Sequence, residues 1–204
     1  RWGKISFWPM LASIAFISAM TPLVVPEIFG VHAYLEDVCR RFAQAGFYAL
    51  APEIFFRHSE PGQYATVAAI LENVIAKMDD KQVMADLDKC VEFAGTEGAD
   101  LQKLAVTGFC WGGRITWLYA AHQPAVKAGV AWYGRLVGAK TDLTPVHPVD
   151  VAAQLKAPVL GLYGSEDSSI PLDTVEDIYA HADHLRRTVA RCHTLLSVLM
   201  SAKT

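Results

Sequence analysis

No CxxC pair, no cysteine and histidine cluster at metal-ligating spacing, no basic stripe and no internal repeat occurs in these 204 residues. Each absence removes a class of function. Four dispersed cysteines, Cys39, Cys90, Cys110 and Cys192, offer neither a structural metal nor a disulfide framework, and they fit a reducing, cytoplasmic compartment. A net charge of -3 with scattered positive residues leaves nothing to track a phosphate backbone, so nucleic acid is excluded as a partner. Long apolar runs are also scarce. The longest, Ile5 to Met20, has 16 residues interrupted by Pro9, too few for a stable membrane span. With Arg1 and Lys4 before it, residues 1–20 read either as a secretory signal, which leaves export open, or as an edge element of the domain.

What is present is apolar surface in a regular order. Hydrophobic residues make up 52% of the chain, enough for one substantial core, and residues 21–204 read as a single domain. Five short apolar runs, Leu23 to Val25, Phe47 to Ala51, Leu104 to Thr107, Ala128 to Trp132 and Val159 to Tyr163, are bounded by Gly or Pro, as buried parallel strands are. Between them, Leu35, Val38, Cys39 and Phe42 recur at helical spacing, with Glu36/Arg40 and Asp37/Arg41 as i,i+4 pairs on the other face. Val67, Ile70, Leu71, Val74, Ile75 and Met78 predict a second sheet-covering helix, and Val83, Leu87, Cys90, Val91 and Ala94 a third. Strands alternating with helices predict an α/β fold: a mostly parallel, doubly wound sheet that binds ligands beyond the carboxyl ends of its strands. Gly134 to Leu155, with Pro145 and Pro148, is expected as an irregular connection forming a pocket wall.

Gly108-Phe109-Cys110-Trp111-Gly112-Gly113 lies between a predicted strand and a predicted helix, where a nucleophile elbow belongs. Glycines flanking the nucleophile permit the strained turn and the close approach of helix to sheet. The reactive group here is a thiol. At the start of a helix the dipole is expected to lower the Cys110 pKa and favour the thiolate. Ester cleavage then needs a histidine to carry protons, an acid to orient it and donors for the developing oxyanion, but neither a cofactor nor a metal. The backbone N–H groups of Ile28 and Trp111 are the expected donors. Asp167, in the loop Gly164 to Pro171 after the last strand, is the expected orienting acid, and the same position suits a turn aspartate. Glu27, directly after the first strand, can hydrogen-bond the resting thiol. Arg57, Tyr64 and Arg114 suit either a substrate carboxylate or structural partners.

The histidine stays open. A helix and a strand should separate it from Asp167, which takes about a dozen residues at the least. His184 leaves 16 residues between and His193 leaves 25. Alternatively Leu172 to Arg187 is one helix with His181 and His184 on its surface.

Pro26-Glu27-Ile28-Phe29-Gly30-Val31, Ala51-Pro52-Glu53 with Phe55-Phe56-Arg57, the cysteine elbow and Gly164 to Pro171 occur in that order. In these segments the chain resembles the dienelactone hydrolase, or carboxymethylenebutenolidase, family of the α/β-hydrolase superfamily, from about Pro22 to about Ile178. The resemblance implies a Cys-His-Asp triad in which Cys110 attacks a lactone or ester carbonyl, Asp167 orients the histidine, and Glu27 holds the resting thiol. Tyr179-Ala180-His181-Ala182-Asp183-His184 resembles the family's histidine segment brought forward, which ranks His184 first and implies a fold shortened at its C-terminus. An edge strand left unpaired by that shortening could pair with a second copy, giving a homodimer. A domain whose catalytic histidine has been lost, acting only in binding, is the alternative to an active hydrolase.

Overall fold

The computed structural model describes residues 5–7 and 20–182. Its strands are β1 (Ile5–Phe7), β2 (Thr21–Val25), β3 (Leu50–Pro52), β4 (Leu104–Phe109), β5 (Ala128–Trp132) and β6 (Val159–Leu162). They form one sheet in the order β1-β3-β2-β4-β5-β6, parallel except for the antiparallel pairing of β1 with β3. The five predicted strands are all present. The second begins later than the apolar run suggests, because the Phe47 N–H closes a turn back to the Phe42 carbonyl before the chain reaches the ladder. Within the N-terminal segment, Ile5–Phe7 is an edge strand.

The helices are α1 (Ala33–Gln44), α2 (Val67–Asn73), α3 (Asp80–Thr96), α4 (Trp111–His122), α5 (Pro148–Val151) and α6 (Leu172–His181). Side chains alternate across a strand, and the two faces of this sheet bury different partners. Leu23, Val25 and Leu50 join Val83, Leu87, Ile115 and Trp117 of α3 and α4 in the larger core. Val24, Ala49 and Ala51 join Leu35 and Cys39 of α1 in the smaller one. Helices therefore cover both faces, as the α/β pattern predicts. α4 is buried nearly all round, from Gly112 to Ala120, which marks it as the central helix.

Two helical expectations need correction. The stripe from Val67 to Met78 is not one helix: α2 stops at Asn73, Val74 departs to φ -116°, and Ile75–Lys77 form a separate 3₁₀ turn. The β-branched pair Val74 and Ile75 weakens helix there, and the chain must turn to enter α3. Val67 and Leu71 are left exposed, while Ile70, Val74 and Met78 are buried. On α1, Arg40 pairs with both Glu36 (3.9 Å) and Asp37 (3.5 Å), so Asp37 takes its i+3 rather than its i+4 partner.

Strand register brings the functional loops together. Val25 lies opposite Gly108, Phe109 opposite Trp132, and Trp132 opposite Leu162. The residues that follow these strands thus emerge at one edge. Because β3 and β4 lie on opposite sides of β2, the sheet changes direction between β2 and β4, the crevice where open α/β sheets bind ligands. No helix among the described residues is long and apolar enough to cross a membrane.

Candidate active site

β4 runs into Cys110, whose φ of 55° and ψ of -118° put a non-glycine residue in a left-handed, strained conformation. The turn is held on both sides. The Cys110 N–H donates to the Trp132 carbonyl (3.0 Å), and the Cys110 carbonyl accepts from the N–H groups of Gly113 (3.0 Å) and Arg114 (3.2 Å). Gly112 shows why the flanking glycines are needed. A Cβ there would sit 2.4 Å from the Val25 carbonyl oxygen and 2.6 Å from that of Pro26, so only glycine lets α4 meet the end of β2.

The thiol is largely buried, and burial pushes its pKa above the ordinary 9.0. A hydrogen bond from the Trp111 backbone N–H lowers it, as does the positive charge of Arg135, while the Glu27 and Asp167 carboxylates raise it. The net direction is upward. This corrects the expectation of a lowered thiol pKa: the helix-terminal N–H does reach the sulfur, but desolvation outweighs it.

Glu27 follows β2 by two residues, and its side chain is 17% exposed. Its Oε1 accepts from the Tyr133 hydroxyl (3.2 Å), and its Oε2 lies 3.8 Å from His32 Nε2. Tyr133, at the end of β5, has a φ of 38°, and burial with the Glu27 charge pushes its phenol pKa up. Ile28 is buried, and among the described residues nothing accepts from its backbone N–H. Asp167 is partly exposed. Its Oδ1 accepts from the Ser169 N–H (2.9 Å) and hydroxyl (2.5 Å), as a turn aspartate does, while Oδ2 has no partner among the described residues.

Cys110, Glu27 and Asp167 therefore share the carboxyl edge of the sheet, and both carboxylates act on the thiol. His184 and His193 lie outside the described residues. The described α6 ends at His181, whose ring nitrogen meets the Asp177 carbonyl on the surface (2.7 Å). None of the described histidines is hydrogen-bonded to the Cys110 thiol.

Arg57, Tyr64 and Arg114 take structural partners. Arg114 forms a buried bidentate pair with Asp80 (2.8 and 2.7 Å), donates to the Val146 carbonyl (2.8 Å) and reaches His147 Nδ1 (3.4 Å). This ties α4 to α3 and to the Gly134 to Leu155 connection, whose latter part forms α5 and a 3₁₀ turn. Arg57 pairs with Asp86 (2.6 Å) over the Phe56 ring, and Tyr64 bonds Ser59 (2.9 Å). Apart from this edge, an apolar cavity of about 610 Å³ runs beneath α1 along β4 and β5, between Tyr34, Phe42, Phe109 and Trp132.

Residues 18–189 match the family model described as the dienelactone hydrolase family. The chain belongs to that family. It is 60% identical over 157 residues to the "Putative carboxymethylenebutenolidase" of Methylorubrum extorquens, covering 76% of this chain and 54% of the relative. It is 35% identical over 147 residues to the "Probable 2-oxo-3-(5-oxofuran-2-ylidene)propanoate lactonase" of a Bradyrhizobium species, covering 71% and 58%. A crystal structure of a "Putative Dienelactone Hydrolase" from Klebsiella pneumoniae superposes with a TM-score of 0.83 at 49% identity, over 88% of this chain and 75% of that one. The chain spans little more than half the length of the curated relatives it matches.

Within this dienelactone hydrolase framework, two residues carry roles that the sequence did not assign: Tyr133 beside the thiol, and Glu53 behind the loop that leaves β2. Tyr133 carries a usable signal, an aromatic residue and a glycine directly after a buried strand. Glu53 sits in the Ala51-Pro52-Glu53 signature, yet one of its two partners, the Val31 N–H, lies in another loop.

Proposed function

We propose that the chain hydrolyses a lactone or carboxylic ester with Cys110 as nucleophile, and that its preferred substrate is an unsaturated lactone bearing a carboxylate. The observation that carries this reading is the elbow: a thiol at φ 55°, touched by the first N–H of a central helix, at the crevice where the sheet changes direction. Family membership supports hydrolysis, and the name of the Bradyrhizobium relative supports a lactone joined to a propanoate. Arg135, without an ion-pair partner among the described residues, supplies positive charge on the thiol's side of the site.

In this reading the thiol gives its proton to a histidine, for which His184 ranks ahead of His193, and Asp167 orients the ring through its free Oδ2. Sulfur bonds to the carbonyl carbon, and the oxygen that becomes negative accepts from the Ile28 and Trp111 N–H groups. Collapse of that intermediate breaks the ring C–O bond, the leaving oxygen takes the proton, and water hydrolyses the thioester to free Cys110. Glu27, held by Tyr133, keeps the resting sulfur protonated, so a substrate must be present before a thiolate forms. A small molecule is thus the partner of this site.

Steady-state hydrolysis of a carboxylate-bearing enol lactone and a neutral enol lactone by the parent and by Cys110→Ala tests the reading. Turnover by the parent should fall at least about a thousandfold in the variant. Equal rates in the two proteins, or none in either, would contradict it.

A further inference from the structure

We infer that Glu53 is a positioning residue for the oxyanion hole: its one carboxylate holds both backbone donors in place. The inference rests on the hydrolase reading above, but its evidence lies outside the triad. Glu53 follows β3 directly, and its Oε2 accepts from the Val31 N–H at 2.8 Å, while its Oε1 accepts from the Phe55 N–H at 3.3 Å. Each bond leads to a different donor.

Val31 closes the loop that leaves β2. Within that loop the Gly30 N–H bonds the Glu27 carbonyl (3.2 Å), and this turn presents the Ile28 N–H. Phe55 is fully buried, with its ring centroid 5.2 Å from that of Trp111, whose own N–H is the second donor. The carboxylate thus bridges the loop behind one donor and the residue packed on the other. Gly30 makes room for the bridge. At φ 71° it presents no Cβ, and one built there would lie 2.8 Å from Glu53 Oε2.

A surface role is a poor account of this carboxylate. No cation among the described residues forms an ion pair with it, and its described partners are backbone N–H groups. An acceptor with two oxygens and no donor is what two converging N–H groups require. Glutamine has the same shape but must turn an NH₂ toward one of them.

The test compares Glu53→Gln with the parent in two reactions of Cys110. Hydrolysis of p-nitrophenyl acetate develops an oxyanion. Alkylation by iodoacetamide does not: sulfur displaces iodide from carbon and no carbonyl oxygen becomes charged. The expected result is a kcat lower by about 10- to 100-fold with KM within about twofold, the size of effect that small misplacement of catalytic groups produces. The alkylation rate should stay within about twofold. Gly30→Ala, which presses on the same carboxylate from the other side, should give the same split and serves if Glu53→Gln does not fold. An unchanged kcat in the variants, or kcat and alkylation falling together, overturns the inference and leaves the hydrolase reading intact. A parent that is alkylated at Cys110 yet hydrolyses nothing overturns both.

Discussion

At Cys110 two tendencies oppose each other: an N–H at a helix start that favours the thiolate, and burial beside two carboxylates that disfavours it. Burial dominates, so the pH dependence of alkylation should reveal a midpoint above the ordinary 9.0, with little reaction at neutral pH. Glu27 raises the thiol pKa, so Glu27→Gln should move the midpoint down. Arg135 lowers it, so Arg135→Gln should move it up. A midpoint in Glu27→Gln equal to or above the parent's would contradict the account. The positions of Cys110 and Glu27 at the strand ends were legible in the sequence because their signals are local, glycines around a thiol and a carboxylate just past an apolar run. The Tyr133 hydroxyl and Glu27 are 106 residues apart, and Glu53 and Val31 are 22 apart. Pairs of that kind leave no periodic trace in a sequence. The direction of the thiol shift was misread for a related reason, since desolvation depends on neighbours that only the fold supplies.

Among the elements, α4 carries the most constraint, since Cys110 caps its start and its Arg114 binds α3 and the connection after β5. Asp80 and Arg114 are nearly inaccessible, at 8% and 7% side-chain exposure. Asp80→Asn leaves the guanidinium buried without its counter-charge, and urea unfolding should show a loss of about 3–5 kcal/mol. Replacing both by apolar residues of similar volume should recover much of that loss. Gly112→Ala belongs to the same helix and acts differently. Its Cβ would meet two carbonyl oxygens of fixed backbone, so stability should fall by about 1–3 kcal/mol or more and the elbow should open. α1 and α3 were readable because burial of one face imprints a helical period, and the strands because burial on both faces leaves short unbroken apolar runs. α2 was not, because its apolar stripe continues at nearly helical spacing across the break at Val74. Arg114 stayed open between a substrate carboxylate and a structural partner because a buried arginine and a binding arginine look alike until Asp80 is seen beside it.

For the whole molecule, the order β3-β2-β4 sets the elbow and the Glu27 loop side by side; α3 and α4 pack on one face of the sheet, and α1 packs on β2 and β3 of the other. Each layer buries a helix thiol, Cys39 of α1 and Cys90 of α3, and burial pushes both up to about 12. These thiols hold their protons more tightly folded than unfolded. Their contribution to stability is therefore complete below the ordinary 9.0 and is lost as pH rises toward about 12. Urea midpoints should decline across that window, less steeply in a Cys39→Ala, Cys90→Ala double variant, and equal slopes would contradict the assignment. The fold class was legible because short apolar runs alternate with stripes of helical period along the chain. His184 and His193 lie outside the described residues, while Tyr179 to His181 end α6, so the triad of Cys110, Asp167 and His184 stands as a proposal.

The central claim is that Cys110 forms a covalent bond to substrate. Mass spectrometry of the protein quenched by acid during turnover of p-nitrophenyl acetate tests it most directly. The account predicts an added acetyl group located on the peptide containing Cys110, absent in Cys110→Ala and accumulating when His184 is replaced by alanine in a protein that still acylates. Turnover with no adduct on Cys110, or an adduct on another residue that survives in Cys110→Ala together with activity, would contradict it.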